Sequence, residues 1–267
     1  MRNDKATKAE EWARDRAVGV HNERASQFFD EYNREDSFKS AFRYGRSLID
    51  KRWGVLLSQF PKNAPVLDIG CGTGHYAQAA LQRGLDVLAV EPSNEMRERA
   101  SMLVPPERLS DGSVLALPFV DGQFDFVYQI EVLRYLDSAD NIRAHQEIAR
   151  VTKVGGVYFG TYVNRFALDG YWLKVAFSRI VAAIRGKSPE NHVEFETPAT
   201  LRKKLKMAGF SNVEIHGAMW APLRIIFKVS PKVAEDISRK MSGMDRIISD
   251  SPFVRAFAGH LIVVARR

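Results

Sequence analysis

From Ala64 onward, short apolar runs alternate with stretches of helical periodicity. Val66–Ile69, Asp86–Val90, Arg108–Gly112, Phe124–Ile130, Gly156–Tyr162, Asn212–His216 and His260–Ala265 each read as a strand. Helices fit between them at His75–Arg83, Asn94–Met102, Asn141–Thr152 and Pro198–Ala208, the last opened by Thr197 as N-cap and stopped by Gly209. Strands separated by helices in this way predict an α/β fold built on a largely parallel sheet.

The chain departs from that alternation in three places. Glu10–Gln59 has helical texture with aromatics scattered among charges (Trp12, Phe28, Phe29, Tyr32, Phe38, Phe42, Tyr44, Trp53), so residues 1–60 read as an N-terminal helical cap or lid on a core of residues 61–267. Asn164–Asn191 and Ala218–Gly259 interrupt the core as helical insertions at 164–191 and 218–259. Within the first, 171–187 holds Lys174, Arg179, Arg185 and Lys187, no acid, and a dense apolar set. The second carries Met219, Trp220, Leu223, Ile225, Ile226 and Phe227 around Arg224 and Lys228.

Composition narrows the classes. With 39 Lys+Arg against 32 Asp+Glu, the net charge of +7 is a modest basic excess, and its bases cluster with apolar residues rather than along a polar groove. Nucleic acid is therefore not the expected partner. Cys71 is the only cysteine, which excludes an internal disulfide and a four-cysteine zinc site and fits the cytosol. No convincing metal-ligand set is visible. Met1–Gln27 mixes acids and bases and does not resemble a signal peptide. Lys174, Arg179, Arg224 and Lys228 interrupt the two best candidates for a membrane span. The expectation is a cytoplasmic protein that at most touches a membrane surface.

The chemistry concentrates at Val66-Leu67-Asp68-Ile69-Gly70-Cys71-Gly72-Thr73-Gly74, an apolar strand ending in three alternating glycines just before a helix. Glycine tolerates positive φ and has no Cβ, so a nucleoside-bearing ligand can lie directly on the turn, with the helix N-terminus favouring a negative group. Glu91, 21 residues beyond Gly70 at the end of the second strand, is placed to grip ribose hydroxyls. A dinucleotide loop would need glycine where His75 stands, which argues against a nicotinamide cofactor.

The ordered motifs resemble those of class I S-adenosylmethionine-dependent methyltransferases, in particular the ubiquinone/menaquinone and other small-molecule methyltransferases. The likeness spans roughly 64–217 and the last strand. VLDIGCGTG at 66–74 resembles the family's first motif, and VLAVEPS, containing Glu91, its ribose-binding strand. GSVLALPF at 112–119 resembles the adenine-side motif, FDFV at 124–127 followed by Glu131-Val132-Leu133 the fourth strand and its loop, and the run from Glu147 to Gly156 the approach to the fifth. The resemblance implies a Rossmann-like seven-stranded sheet with an antiparallel last strand, and S-adenosyl-L-methionine as cofactor, leaving as S-adenosyl-L-homocysteine. It also assigns roles. Gly70, Gly72 and Gly74, with Cys71 between them, shape the cofactor loop, and Asp68 lies beneath the methionine portion. Glu91 holds both ribose hydroxyls, Pro92 and Met96 pack on the adenine edge, Ser113 and the Val114 backbone meet the adenine amino group, and Gln129 faces the methionine end. Two positions depart from the family: Ser113 stands where many relatives have aspartate, and Tyr135 where many have histidine.

Methyl transfer from a sulfonium is an in-line displacement with a good leaving group, so the protein mainly positions the reactants, and a base is needed only if the acceptor must lose a proton. His192, Tyr135 and Glu131 are the leading candidates, followed by Tyr162, His145 and Tyr32; each also has a plain structural reading, as a cap, a core residue or a loop-solvating group. The aromatic N-terminal helices read either as a lid over the sulfonium or as helices packed on the sheet. No Asn/Asp-Pro-Pro-aromatic motif follows the fourth strand, and the only thiol lies in the glycine loop, which sets nucleobase methylation aside. A small-molecule or lipid-like acceptor remains. The segments 171–187 and 219–229 can wall its pocket or touch a membrane surface. The alternatives are a non-catalytic methyltransferase-like partner subunit, which the intact glycines and Glu91 oppose, and, behind it, a nucleic-acid-associated methyltransferase.

Overall fold

The computed structural model describes residues 18–33, 36–168, 171–185, 193–219, 221–241, 244 and 251–267. Its elements in chain order are helix α1 (18–32), α2 (Ala41–Leu57), strand β1 (Pro65–Ile69), α3 (His75–Gln82), β2 (Asp86–Val90), α4 (Asn94–Ala100), β3 (Leu109–Ser110) and β4 (Phe124–Gln129). They continue as α5 (Ser138–Val151), β5 (Thr152–Val163), α6 (Tyr171–Ile184), α7 (Pro198–Met207), β6 (Asn212–Ala218), α8 (Ala221–Val229), α9 (Pro231–Met241), α10 (Pro252–Phe257) and β7 (His260–Arg266).

The seven strands form one sheet in the order β3-β2-β1-β4-β5-β7-β6. Pairing is parallel from β3 through β5, and β7 runs antiparallel between β5 and β6. Strand order reverses between β1 and β4, which opens a crevice at their carboxyl ends. Alternation along the central strands divides the core into two layers. Val66, Phe126, Tyr128 and Phe159 pack with α2 and α3, whereas Leu67, Val127, Tyr158 and Val263 pack with α5 and α7. Helix α2 buries Tyr44, Leu48 and Trp53 in the first layer, so its apolar face shares the core of the sheet.

The predicted elements match these bounds to within a few residues, with three exceptions, the first being β5, which starts at Thr152, four residues before the predicted strand and on the last residue of the predicted helix. The third strand contracts to Leu109–Ser110 at the sheet edge. Helix α5 starts at Ser138 because Asp137 caps it, accepting from the Asp140 amide at 2.8 Å. The 218–259 insertion packs back on the fold: Leu223, Phe227 and Ala234 enter the α2 layer.

Candidate active site

The loop after β1 is tied to β2, with the Gly70 and Cys71 amides both donating to the Val90 carbonyl, at 2.7 and 3.1 Å. Gly70, Gly72 and Gly74 adopt φ of +66°, +54° and +84°. Each glycine has a different reason to lack a side chain. A Cβ on Gly70 would stand 2.5 Å from Val132 Cγ2, and one on Gly74 would stand 3.1 Å from Ala100, whereas one on Gly72 would meet nothing within 4 Å. Two of the glycines therefore allow packing, and the middle one leaves the crevice open. Cys71 is buried in the loop, and burial pushes its thiol well up, so it offers no thiolate.

Two carboxylates frame this opening. Glu91 is held in place by the Gly72 and Ser93 amides, each 2.9 Å from one of its oxygens. Burial raises its pKa, and those two donors counter the rise. Asp68 is 3% exposed, and its Oδ2 has no hydrogen-bond partner. Burial, reinforced by the negative charge of Glu91, pushes its pKa up to about 8. Next to Glu91, Pro92 is exposed, Ser93 caps α4, and Met96 is buried beneath that helix. Ser113 and Ala116 close a tight turn, with the Leu115 amide donating to Ser113 Oγ at 3.3 Å and Val114 buried below.

Gln129 faces into the protein. Its Nε2 donates to Tyr158 Oη and the Thr161 carbonyl, at 3.2 and 3.1 Å, and its Oε1 accepts from the Val132 amide at 2.9 Å. It anchors the loop after β4. From Tyr158 the chain of contacts runs to Tyr162 Oη and on to His145 Nε2, both 2.7 Å, while His145 Nδ1 meets the Asn141 carbonyl at 2.6 Å. Burial lowers the His145 pKa to about 4. His145 and Tyr162 thus belong to a buried network in the second layer.

The loop after β4 gathers a charged cluster. Glu131, at φ +62°, has its amide 2.8 Å from Thr161 Oγ1. Its Oε1 accepts from Thr161 Oγ1 at 3.1 Å and lies 3.1 Å from His260 Nδ1, and its Oε2 accepts from Arg134 Nη1 at 2.7 Å. Burial alone would raise this carboxyl; His260 and Arg134 outweigh it and hold the group well below the usual carboxylate range. Arg134 also donates to Tyr171 Oη at 3.1 Å, and Arg224 Nη2 meets His260 Nε2 at 2.9 Å. The guanidiniums of Arg134 and Arg224 each stand 5.9 Å from the Tyr171 ring centroid. Of these, only Glu131 was expected from the sequence. The antiparallel register that sets Val163 opposite His260 brings His260 and Thr161 together at Glu131, while Arg134, Tyr171 and Arg224 reach the cluster from the loop after β4, α6 and α8, and no local motif announces these pairings.

Helix α1 lies across the same end of the sheet. His21 stands edge-on to Tyr135 at 5.1 Å, Asn22 pairs with Ser93 Oγ, and Ser26 accepts from Arg99 at 2.7 Å. Asn33 meets His75 Nε2 at 3.1 Å, and Phe29 and Tyr32 pack on the His75 ring at 5.3 and 5.1 Å. The Arg46 guanidinium sits 3.8 Å over Tyr32, whose buried hydroxyl is pushed up to about 12. Burial lowers His75 to about 4. His192 lies outside the described residues.

Helix α6 exposes Trp172, Phe177, Ile180 and Ile184. Among the described residues no helix is long and apolar enough to cross a membrane.

Comparison with known proteins agrees with the fold. A family model described as a methyltransferase domain matches residues 67–160. The ubiquinone biosynthesis O-methyltransferase of Acinetobacter baylyi is 25% identical over 175 residues, 63% of this chain and 72% of that protein. The magnesium-protoporphyrin O-methyltransferase of Rhodobacter capsulatus is 29% identical over 183 residues, 66% and 76% of the two chains. Among solved structures, a putative sarcosine dimethylglycine methyltransferase from Galdieria sulphuraria superposes with a TM-score of 0.56 at 18% identity, covering 91% of this chain and 98% of that one.

Proposed function

We propose that the chain is an S-adenosylmethionine-dependent methyltransferase that methylates an oxygen of a small-molecule or lipid-like acceptor bound beside the loop after β4. The observation that carries the reading is the open, positive-φ Gly72 set between the two buried carboxylates Asp68 and Glu91.

The residues present fit the cofactor. Each Glu91 oxygen accepts one backbone amide and keeps a lone pair for a ribose hydroxyl. The partnerless Oδ2 of Asp68 is a buried acceptor waiting for a donor, and an ammonium would supply one. Gly70, Cys71, Gly72 and Gly74 form the floor; Met96 and the turn at Ser113 and Val114 lie at the adenine side, with Pro92 at its rim. The cofactor supplies an electrophilic methyl group on a neutral leaving group. The protein's part is to bind, orient and exclude water.

We take 18–32 as the lid. Its contacts with Ser93, Arg99, His75 and Tyr135 support that reading. Glu131 acts as an electrostatic post at the acceptor side, Tyr135 lines the space under the lid, and His192 is held as a candidate contact to the acceptor. Two relatives named as O-methyltransferases support oxygen as the accepting atom. The exposed aromatic and aliphatic face of α6, with Lys174 and Arg185 beside it, supports a resting place at an anionic lipid surface, from which a lipid-like acceptor can be collected.

Calorimetry with S-adenosyl-L-homocysteine tests the core of the reading. Wild type binds with a stoichiometry of one. Glu91→Ala removes two charge-assisted hydrogen bonds, about 3 kcal/mol together, and weakens binding by about 100-fold. Unchanged binding in that variant, or none in wild type, rejects the assignment.

A further inference from the structure

Asp68 and Tyr128 are register partners in the parallel β1–β4 pair, so their side chains leave the sheet next to one another, on the face covered by α2 and α3. On the methyl-transfer reading above, on which this inference rests, Asp68 receives the cofactor's ammonium. Tyr128 is fully buried, and its ring is gripped by Trp53, edge-on at 5.5 Å, and by Phe126 at 5.4 Å. Tyr128 Oη has no hydrogen-bond partner, and neither has Asp68 Oδ2. Ring packing does not account for that hydroxyl, because phenylalanine would fill the same space without burying an unsatisfied polar atom.

The hydroxyl stands close enough to act on the carboxyl without closing a bond to it. Burial raises the Asp68 pKa; the Tyr128 hydroxyl pulls it back, Glu91 adds to the rise, and the Ala77 amide of α3 lowers it again. Burial and the charge of Asp68 push the Tyr128 hydroxyl well up in turn, so it remains a donor. The other titratable groups around the pair have partners of their own. On α3, Tyr76 donates to one oxygen of Asp50, whose other oxygen lies 3.5 Å from Arg46 Nε on α2, and the Arg46 guanidinium also covers the Tyr32 ring of α1. Glu91 is held by the Gly72 and Ser93 amides, and the Cys71 thiol lies 3.9 Å from the Gly72 carbonyl. None of these groups donates to Asp68 Oδ2.

We propose that Tyr128 is a positioning residue for the cofactor: its hydroxyl turns onto Asp68 Oδ2 when the carboxylate forms and holds that carboxylate for the ammonium, without touching the ligand itself. A hydrogen bond to an anion is stronger than one to a neutral acid. Below about pH 8 the free protein carries Asp68 protonated, and the carboxyl gives its proton to solvent on binding. The bond from Tyr128 is then strong only in the bound state, and it adds to affinity. At higher pH the carboxylate exists before the ligand arrives, so the bond is present on both sides of the equilibrium and its effect cancels.

Calorimetry of the full-length protein with S-adenosyl-L-homocysteine tests this through Tyr128→Phe, which keeps the ring and its packing. The variant is expected to bind about threefold or more weakly than wild type at pH 6.5, and within about twofold of it at pH 9.5. At pH 8.5, in two buffers of different ionisation heat, it should release more protons per ligand bound than wild type, because without the hydroxyl Asp68 stays protonated to a higher pH. In an Asp68→Asn background the same substitution should change affinity by less than about twofold at every pH. A loss of equal size at all pH values, as a merely loosened core would give, overturns the proposal. So does a variant indistinguishable from wild type, or an undiminished effect in the Asp68→Asn background. Failure of S-adenosyl-L-homocysteine to bind wild type would instead reject the methyl-transfer reading beneath it.

Discussion

Asp68 shows how much a single residue can report. Its pKa of about 8 lies far above an unfolded value near 4, so between those limits the native state holds a proton that the unfolded chain lacks. Stability from this group therefore falls as pH rises from about 4 to about 8. Cofactor binding has the opposite sense, because an ammonium partner selects the ionised carboxylate. Affinity for S-adenosyl-L-homocysteine should rise by up to about tenfold per pH unit between pH 6 and 8, then level. Calorimetry across that range checks it, and Asp68→Asn should flatten the profile. Gly160 carries a second prediction. A Cβ there would stand 2.2 Å from Tyr158 Oη and 2.9 Å from Gln129 Nε2, so the missing side chain makes room for the buried Gln129–Tyr158 contact. Gly160→Ala should cost about 2 kcal/mol by forcing those groups apart, measured as a fall in urea midpoint. The glycines at 70, 72 and 74 were legible as a motif. Gly160 was not, since nothing in GTYV distinguishes it from an ordinary strand glycine.

At the scale of elements, the sequence carries local rules well and long-range pairing poorly. Thr197 caps α7 as its position before Pro198 suggests, with its hydroxyl 3.1 Å from the Thr200 amide. Strands β1, β2 and β4 are visible because they are short apolar runs with turn residues at both ends. By contrast, His260 is an unremarked first residue of its strand until β7 inserts beside β5 and brings it to Glu131. Arg224 is likewise read as part of a basic amphipathic helix, and only the packing of α8 on α2 turns its guanidinium toward the site. Helix α1 reaches the neighbourhood of the loops after β1, β2 and β4 through side chains, with His21 on Tyr135, Asn22 on Ser93, Ser26 on Arg99 and Phe29 on His75. A lid held in that way should exchange its amides quickly in the free protein. Hydrogen exchange over 18–32 is expected to slow at least tenfold when S-adenosyl-L-homocysteine is bound, while α2, buried through Trp53 and Tyr44, changes little. Equal exchange in both states would remove the lid from the account.

On the scale of the whole molecule, charge and apolar surface combine on one helix. The net charge of +7 is small, but 171–187 contains four bases and no acid, and α6 exposes Phe177 at 69% and Ile184 at 80%. Such a face can lower its rings among acyl chains while its bases meet anionic headgroups. The protein should sediment with vesicles of phosphatidylglycerol and phosphatidylcholine at 50 mM salt, sediment several-fold less at 500 mM, and largely lose the interaction in Phe177→Asp/Ile184→Asp. Retention of that double variant on vesicles would show that α6 is not the contact.

The sheet order itself has a kinetic side. Strand β6 touches the sheet only through β7, and β7 follows it by some forty residues of helix and loop. Until the final strand threads into the gap, β5 and β6 both present raw backbone edges, and one of them is apolar on both faces. Closure of that gap is the slowest kind of event for a chain to reach by diffusion. Crowded refolding will therefore lose material to association through those edges, and yield will be governed by how dilute the chain is while the gap remains open.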